Sequence, residues 1–314
     1  MYEKTNGIRY PFVITDEAGY VLLSCPEIIK GEECFFSAEN FSAEELDFLF
    51  GMIREYRFGD LILLKERRKG RAVFVSPFLF PSTRTFVMTV SDIDYNTAAA
   101  ICAFSHKDIA IREIPQIKLG KRHEKVYEDI CNIVYSLGNS TKGYSYKEDF
   151  GEYLINKVNA VSHITFCKSE INFEPASIGH CPENLDAAIL GLYLIVMMSA
   201  ASFASGERRV EIDFSVKDHS LCVKVSFSAL MDKALLLDFE KRFSSAVAMI
   251  DSLCAENNLP MYFYRDGFFR SGIIPCRIEN SFIGLKARAG FLKDEKEKEQ
   301  KERNIFLSAS TANK

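Results

Sequence analysis

The chain has no tryptophan, no CxxC pair among its 9 cysteines, only 9 prolines in 314 residues and no surplus of positive charge. Each shortage removes a class of protein. A formal net charge of -4 leaves no electrostatic footprint for nucleic acid, which is bound through clustered Lys and Arg. The cysteines (Cys25, Cys34, Cys102, Cys131, Cys167, Cys181, Cys222, Cys254 and Cys276) are odd in number and scattered, so they spell neither a disulfide scaffold nor a paired-thiolate zinc site. The nearest approach to metal spacing is His163-x3-Cys167 with His180-Cys181 downstream. These fall in segments that read as strand and loop, and the expectation is small core residues with no metal. The opening run Met1-Tyr-Glu-Lys-Thr is polar, unlike a secretory signal, which points to a cytoplasmic protein with reduced thiols. Missing too are GxxxxGKS/T, HExxH, GxSxG and EF-hand patterns, so no familiar catalytic or phosphate-binding loop announces an enzyme.

One segment is short of charge altogether. Ala187 to Ala204 is uncharged, long enough to be tested as a short transmembrane helix, with Asp186 before it and Glu207-Arg208-Arg209 after it. The pattern on its C-terminal side argues for a core helix, and no membrane is expected. Val210, Ile212, Phe214 and Val216 alternate with polar residues, as do Leu221, Val223, Val225 and Phe227 after the polar turn at Lys217 to Ser220. Alternation at period two is the mark of a half-buried strand, so these form a hairpin. A helical stretch from about 231 to 257 follows, then a strand at Met261-Tyr-Phe-Tyr264, a turn at Asp266-Gly267 and a last strand from Ile273 to Ile278.

Upstream, residues 11 to 24 read as two strands around the turn Glu17-Ala18-Gly19. Ser42-x-x-Glu45 is a capping-box pattern opening a helix with Leu46, Leu49, Phe50 and Ile53 on one face. Strands are expected at 60 to 65, 71 to 79 and 84 to 91, the first two joined by the basic turn Arg67-Arg68-Lys69-Gly70. That basic tip reads as a solvated turn. From 117 to 160 two helical stripes follow, Val126, Ile130, Ile133, Val134, Leu137 and then Phe150, Tyr153, Leu154, Val158, separated by a stop at Gly138-Asn139-Ser140. The tail from Lys293 to Arg303 balances its charges, has no apolar stripe, and is expected to be an exposed frayed helix or disordered.

The order helix, two strands, helix, two strands resembles the ATP-binding domain of histidine kinases and their relatives. Three stretches carry the resemblance. Leu194-Ile-Val-Met-Met-Ser-Ala-Ala-Ser-Phe is similar to the family's helix Leu-Leu-Asn-Leu-Leu-Ser-Asn-Ala. Ser244-Ser-Ala-Val-Ala-Met-Ile250 is similar to its second glycine box, and 250 to 278 to its closing helix and hairpin. The resemblance implies that Ala200 stands where magnesium's Asn belongs and has no oxygen to offer a hard cation. Ser226 and Ser228, in Val225-Ser-Phe-Ser-Ala-Leu230, stand where the adenine-reading Asp belongs. Ser244 and Ala246 replace the glycines whose lack of a Cβ lets backbone approach phosphate. Only about sixteen residues separate Ser228 from Ser244, too few for the family's lid over nucleotide. A helix apolar on every side is normally buried on every side, so the former pocket is expected to be closed by side chains or by a partner.

The N-terminal phrase Ile14-Thr-Asp-Glu-Ala-Gly-Tyr-Val-Leu22 and its strand order resemble a PAS-type sensor domain. The fold class expected is therefore α+β. The division is a PAS-like domain over 1 to 115, a stalk-like helical hairpin over 116 to 161, a degenerate kinase-type ATPase domain over 162 to 290, and a charged tail over 291 to 314. The implied protein is a cytoplasmic, non-catalytic signalling or scaffold protein without cofactor, a pseudo-histidine kinase and a homodimer. Its partner is a protein, a response regulator or another kinase. A second reading is a histidine phosphotransferase using His123, whose His-Glu opening is similar to the family's phosphoacceptor site; His106 is a weaker candidate. A third is a ligand sensor acting through the N-terminal domain.

Overall fold

The computed structural model describes residues 12–24, 34–54, 61–79, 84–106, 108–143, 149–165, 168–172, 187–202, 209–217, 220–231, 246–256, 261–263 and 274–286. The fold is α+β, two sheets with helices layered between them. The charged tail and the region from 232 to 245, which includes Ser244, lie outside the described residues.

Strands β1 (Phe12–Thr15) and β2 (Val21–Ser24) pair antiparallel around the expected turn. Asp16 Oδ1 closes it by accepting from the Ala18 and Tyr20 amides, each at 2.9 Å. Gly19 is required there twice over: its φ is +88°, and a Cβ would meet the Phe36 ring and its Cβ at 2.7 Å. Helix α1 (Ala43–Arg54) starts where the capping pattern places it, with Ser42 Oγ accepting from the Glu45 amide at 3.3 Å. The returning carboxylate is Glu44, held below its usual range by its bond to Ser42. Glu45 instead turns inward, 2% exposed, to take the Lys65 amide and the Arg112 guanidinium.

Strands β3 (Leu61–Lys65), β4 (Arg71–Leu79) and β5 (Arg84–Asp94) follow, and the first sheet has the order β2-β1-β5-β4-β3-β6. Its last member, β6 (Ile109–Ile111), runs parallel to β3 after helix α2 (Tyr95–Ser105), neither of which the sequence reading contained. Asp94 caps α2 by accepting from the Thr97 amide at 3.0 Å. Both faces of this sheet are buried. Ile62, Leu64, Val73, Val75, Phe86 and Met88 face α1, whereas Leu61, Leu63, Ala72, Phe74 and Val87 face the interior helices. The near-continuous apolar runs of β3 and β4 have this cause.

Helices α3 (Glu124–Thr141) and α4 (Phe150–Thr165) form the expected hairpin. It lies flat on the first sheet with one face left to solvent: α3 packs on β3, β4 and β5, and Ser76 Oγ meets Thr141 Oγ1 at 2.8 Å. His163 is on the last turn of α4, a helix where a strand or loop was expected, because the stripe of Leu154, Val158 and Val161 continues to Ile164. The second sheet has the order β10-β11-β9-β8-β7. Its strands are β7 (Lys168–Asn172), parallel to β8 (Arg209–Lys217), then β9 (Ser220–Met231), β10 (Met261–Phe263) and β11 (Ile274–Lys286). β10 and β11 pair antiparallel as the last two strands, and the turn expected at Asp266-Gly267 lies outside the described residues. β11 runs on to Lys286, pairs with β9 along its whole length, and meets β10 only at its far end, Phe263 opposite Ile283.

Candidate functional site

The region of interest is the uncharged helix α5 (Ala187–Ser202), which lies between the hairpin and the second sheet. Every residue from 189 to 199 is buried. One side meets β8 and β9, whose inward residues Val210, Ile212, Phe214, Val223 and Val225 share its core, and the other meets α3 and α4. No helix among the described residues is long and apolar enough to cross a membrane. The apolar run is accounted for by contact on both sides.

The closest approach is at Gly191. A Cβ there would run into the backbone carbonyl oxygen of Ser140 and would come within 3.2 Å of Lys157 Nζ. Lys157 is 1% exposed, and its ammonium donates to the Ser140 and Lys142 carbonyls at 3.0 and 2.5 Å. It also stands 5.0 Å over the Tyr153 ring. A cation at the last carbonyls of α3 satisfies acceptors the helix leaves open and complements the negative end of its dipole. Sequence reading missed Lys157. Its signal was a charged residue inside the stripe Phe150, Tyr153, Leu154, Val158, where a solvated lysine does not belong. Further along α5, Tyr193 is 3% exposed, and burial pushes its phenol far above the ordinary range. Ser199 returns its hydroxyl to the Ile195 carbonyl one turn back, so this buried polar group is satisfied inside its own helix.

The residues that the sequence resemblance sets at a lost nucleotide site have these places in the chain's elements. Ala200 is in the last turn of α5. Ser226 and Ser228 are not beyond a strand end: β9 continues to Met231, with Ser226 opposite Glu279 and Ser228 opposite Arg277 of β11. Ala246 is fully buried at the start of helix α6 (246–256), whose core face is Ala246, Ile250, Leu253 and Cys254. Met249 Sδ of that helix accepts from Thr85 Oγ1 of β5 at 3.8 Å, which ties α6 to the first sheet.

The two histidine candidates are far from equivalent. His123 ends a short 3-10 turn, Lys121–His123, that leads into α3. Its Nδ1 lies 3.1 Å from both the amide nitrogen and the carbonyl oxygen of Gly120. Only the tautomer that donates from Nδ1 to that oxygen leaves a lone pair on Nε2. His106 caps α2 and directs Nε2 at Cys131 Sγ, 3.6 Å away. Burial lowers its pKa, with Asp108 opposing.

No three His, Cys, Asp or Glu side chains among the described residues are grouped to hold a metal; Cys167, His180 and Cys181 lie outside them. The basic turn between β3 and β4 is internally matched. Arg68 pairs with Glu39, Arg67 donates to the Ala38 carbonyl at 2.7 Å, and Arg71 grips Glu66 at 2.8 and 3.0 Å. Between α1 and the first sheet, Phe36 packs edge-on against Phe50 and Phe86 with ring centroids 6.2 and 5.3 Å away, and Phe41 stands edge-on to Phe35 at 5.5 Å.

No protein-family profile matches the chain, and no curated protein matches it. Two solved structures resemble it in outline. One is a blue-light activated histidine kinase of Erythrobacter litoralis, 13% identical, covering 88% of this chain and 99% of that one, with a TM-score of 0.31. The other is histidine kinase ThkA in complex with response regulator protein TrrA, 11% identical, covering 88% of this chain and 96% of that one, with a TM-score of 0.23.

Proposed function

We propose that the chain is a signalling protein of sensor-kinase descent that no longer binds ATP and acts by docking to another protein. The observation that carries this reading is the burial of α5 on both sides. A working nucleotide domain needs a polar pocket along one side of that helix, whereas here α3 and α4 press against it closely enough that Gly191 has no room for a methyl group. Ala200 and Ala246 bring no oxygen to magnesium and no bare backbone to phosphate. A protein partner, a response regulator or another kinase, is the expected ligand, and a homodimer through residues 116 to 161 belongs to the same reading. Titration with ATP and magnesium tests it: no saturable heat and no thermal shift are expected up to millimolar nucleotide. Micromolar binding with a thermal shift would overturn it.

One observation favours a second reading, histidine phosphotransfer. The Gly120 contacts engage Nδ1 of His123 and not Nε2, on the turn that opens α3. Phosphoryl transfer from a phosphorylated response regulator, abolished by His123→Ala, would put this reading first.

A further inference from the structure

Where α2 meets α3, a thiol and a base come together that neither reading above uses. Cys131 is half-buried on α3, with Tyr127 one turn before it and Tyr135 one turn after, both exposed at 45% and 47%. From the end of α2, His106 brings Nε2 to 3.6 Å from its sulfur. A second thiol, Cys102, is fully buried beside them. Burial, with Cys131 adding to it, pushes Cys102 up to about 12, so it stays protonated and unreactive. A sulfur with its own proton acceptor therefore lies between two exposed aromatic rings on one helix face, an apolar surround for an organic substrate.

We propose that Cys131 and His106 form a base-assisted thiol site that takes an oxygen atom from an apolar organic hydroperoxide. The His106 imidazole accepts the Cys131 thiol proton, and the sulfur lone pair attacks the outer peroxide oxygen. The sulfur–oxygen bond forms as the oxygen–oxygen bond breaks. The leaving alkoxide takes the proton from the imidazolium and departs as an alcohol, so thiol plus hydroperoxide becomes sulfenic acid plus alcohol. Sulfur is oxidised and the peroxide reduced, with no further reactant. Cys34, the other half-buried thiol among the described residues, is the internal control: its Sγ–H is directed to the Ala18 carbonyl at 3.7 Å, an acceptor that cannot deprotonate it.

The test treats the full chain at pH 7 with one equivalent of cumene hydroperoxide in the presence of dimedone, and maps the adducts by mass spectrometry. With His106 taking the proton in the step itself, Cys131 should outpace Cys34 about tenfold or more, and His106→Asn should bring it down to the Cys34 rate. Equal labelling of Cys34 and Cys131 in the unaltered chain would overturn the proposal, and this readout needs no variant to fold. Labelling of Cys131 that survives His106→Asn unchanged would overturn it as well.

Discussion

Gly191, Lys157 and Glu66 each carry a consequence that their residue type alone does not announce. Gly191→Ala places a methyl group against the Ser140 carbonyl, a backbone atom that cannot rotate away. Helix propensity alone would favour alanine, so the expected loss of about 1–3 kcal/mol in urea unfolding would report the close approach and not the helix. Lys157→Met keeps the length of the side chain but takes the ammonium from the Ser140 and Lys142 carbonyls, the second of which keeps the Tyr153 hydroxyl, and should cost about 1–3 kcal/mol by the same measurement. At Glu66, burial opposes ionisation, but the Arg71 hydrogen bonds and charge outweigh it and hold the carboxyl below its usual 4.5. A depressed folded-state pKa stabilises above the unfolded value and is lost as pH falls through the folded one. Stability measured by denaturant at a series of pH values should therefore drop below about pH 4.5, and Glu66→Gln should flatten that part of the curve.

At the scale of elements, legibility depended on how local the determining contact was. The β1–β2 turn, α1, β3, β4 and both hairpin helices were readable because Asp16, Gly19 and Ser42 act within a few residues of themselves and the apolar stripes repeat at fixed spacing. Helix α2 was not, because its core is built from Ala98, Ala99, Ile101 and Cys102, small side chains that form no strong stripe; the usable sign was Asp94 before Thr97. Strand β6 has three residues and exists through parallel pairing with β3, almost fifty positions earlier. Within the candidate site, the apolar surround of α5 was legible, but Lys157 and the Cys131–His106 contact were not, since each joins separate elements. The closure around α5 makes a prediction for the whole helix. Ala200→Asn restores the residue type of the resembling family yet is expected to leave ATP affinity undetectable by calorimetry, because one side chain cannot reopen a packed face. Leu194→Asn, at a fully buried position of the same helix, should destabilise by about 2–5 kcal/mol in thermal or urea unfolding.

Taken as a whole molecule, the two sheets are not separate bodies on a stalk. One continuous core runs from Phe12 of β1 through Leu137, Leu154 and Met197 to Val225 and Cys254, with the Ser76–Thr141 and Thr85–Met249 contacts beside it. Scanning calorimetry should show a single transition, because neither sheet can lose its inner layer without exposing the other's; two resolved transitions would contradict a shared core. The same arrangement limits how a signal could pass. A hairpin held between two sheets can shift only as a packed layer, by displacements its neighbours share.

The sequence by itself determined the element types that rest on local pattern, the α+β class, and the chemistry available at each position: Ala200 cannot ligate magnesium in any fold. Tertiary structure decided what covers α5, that the hairpin lies flat, and that His106 faces Cys131 rather than standing alone. The physical reason is that burial on one side of an apolar helix is written in its own residues, whereas the identity of what presses against it belongs to segments distant in the chain.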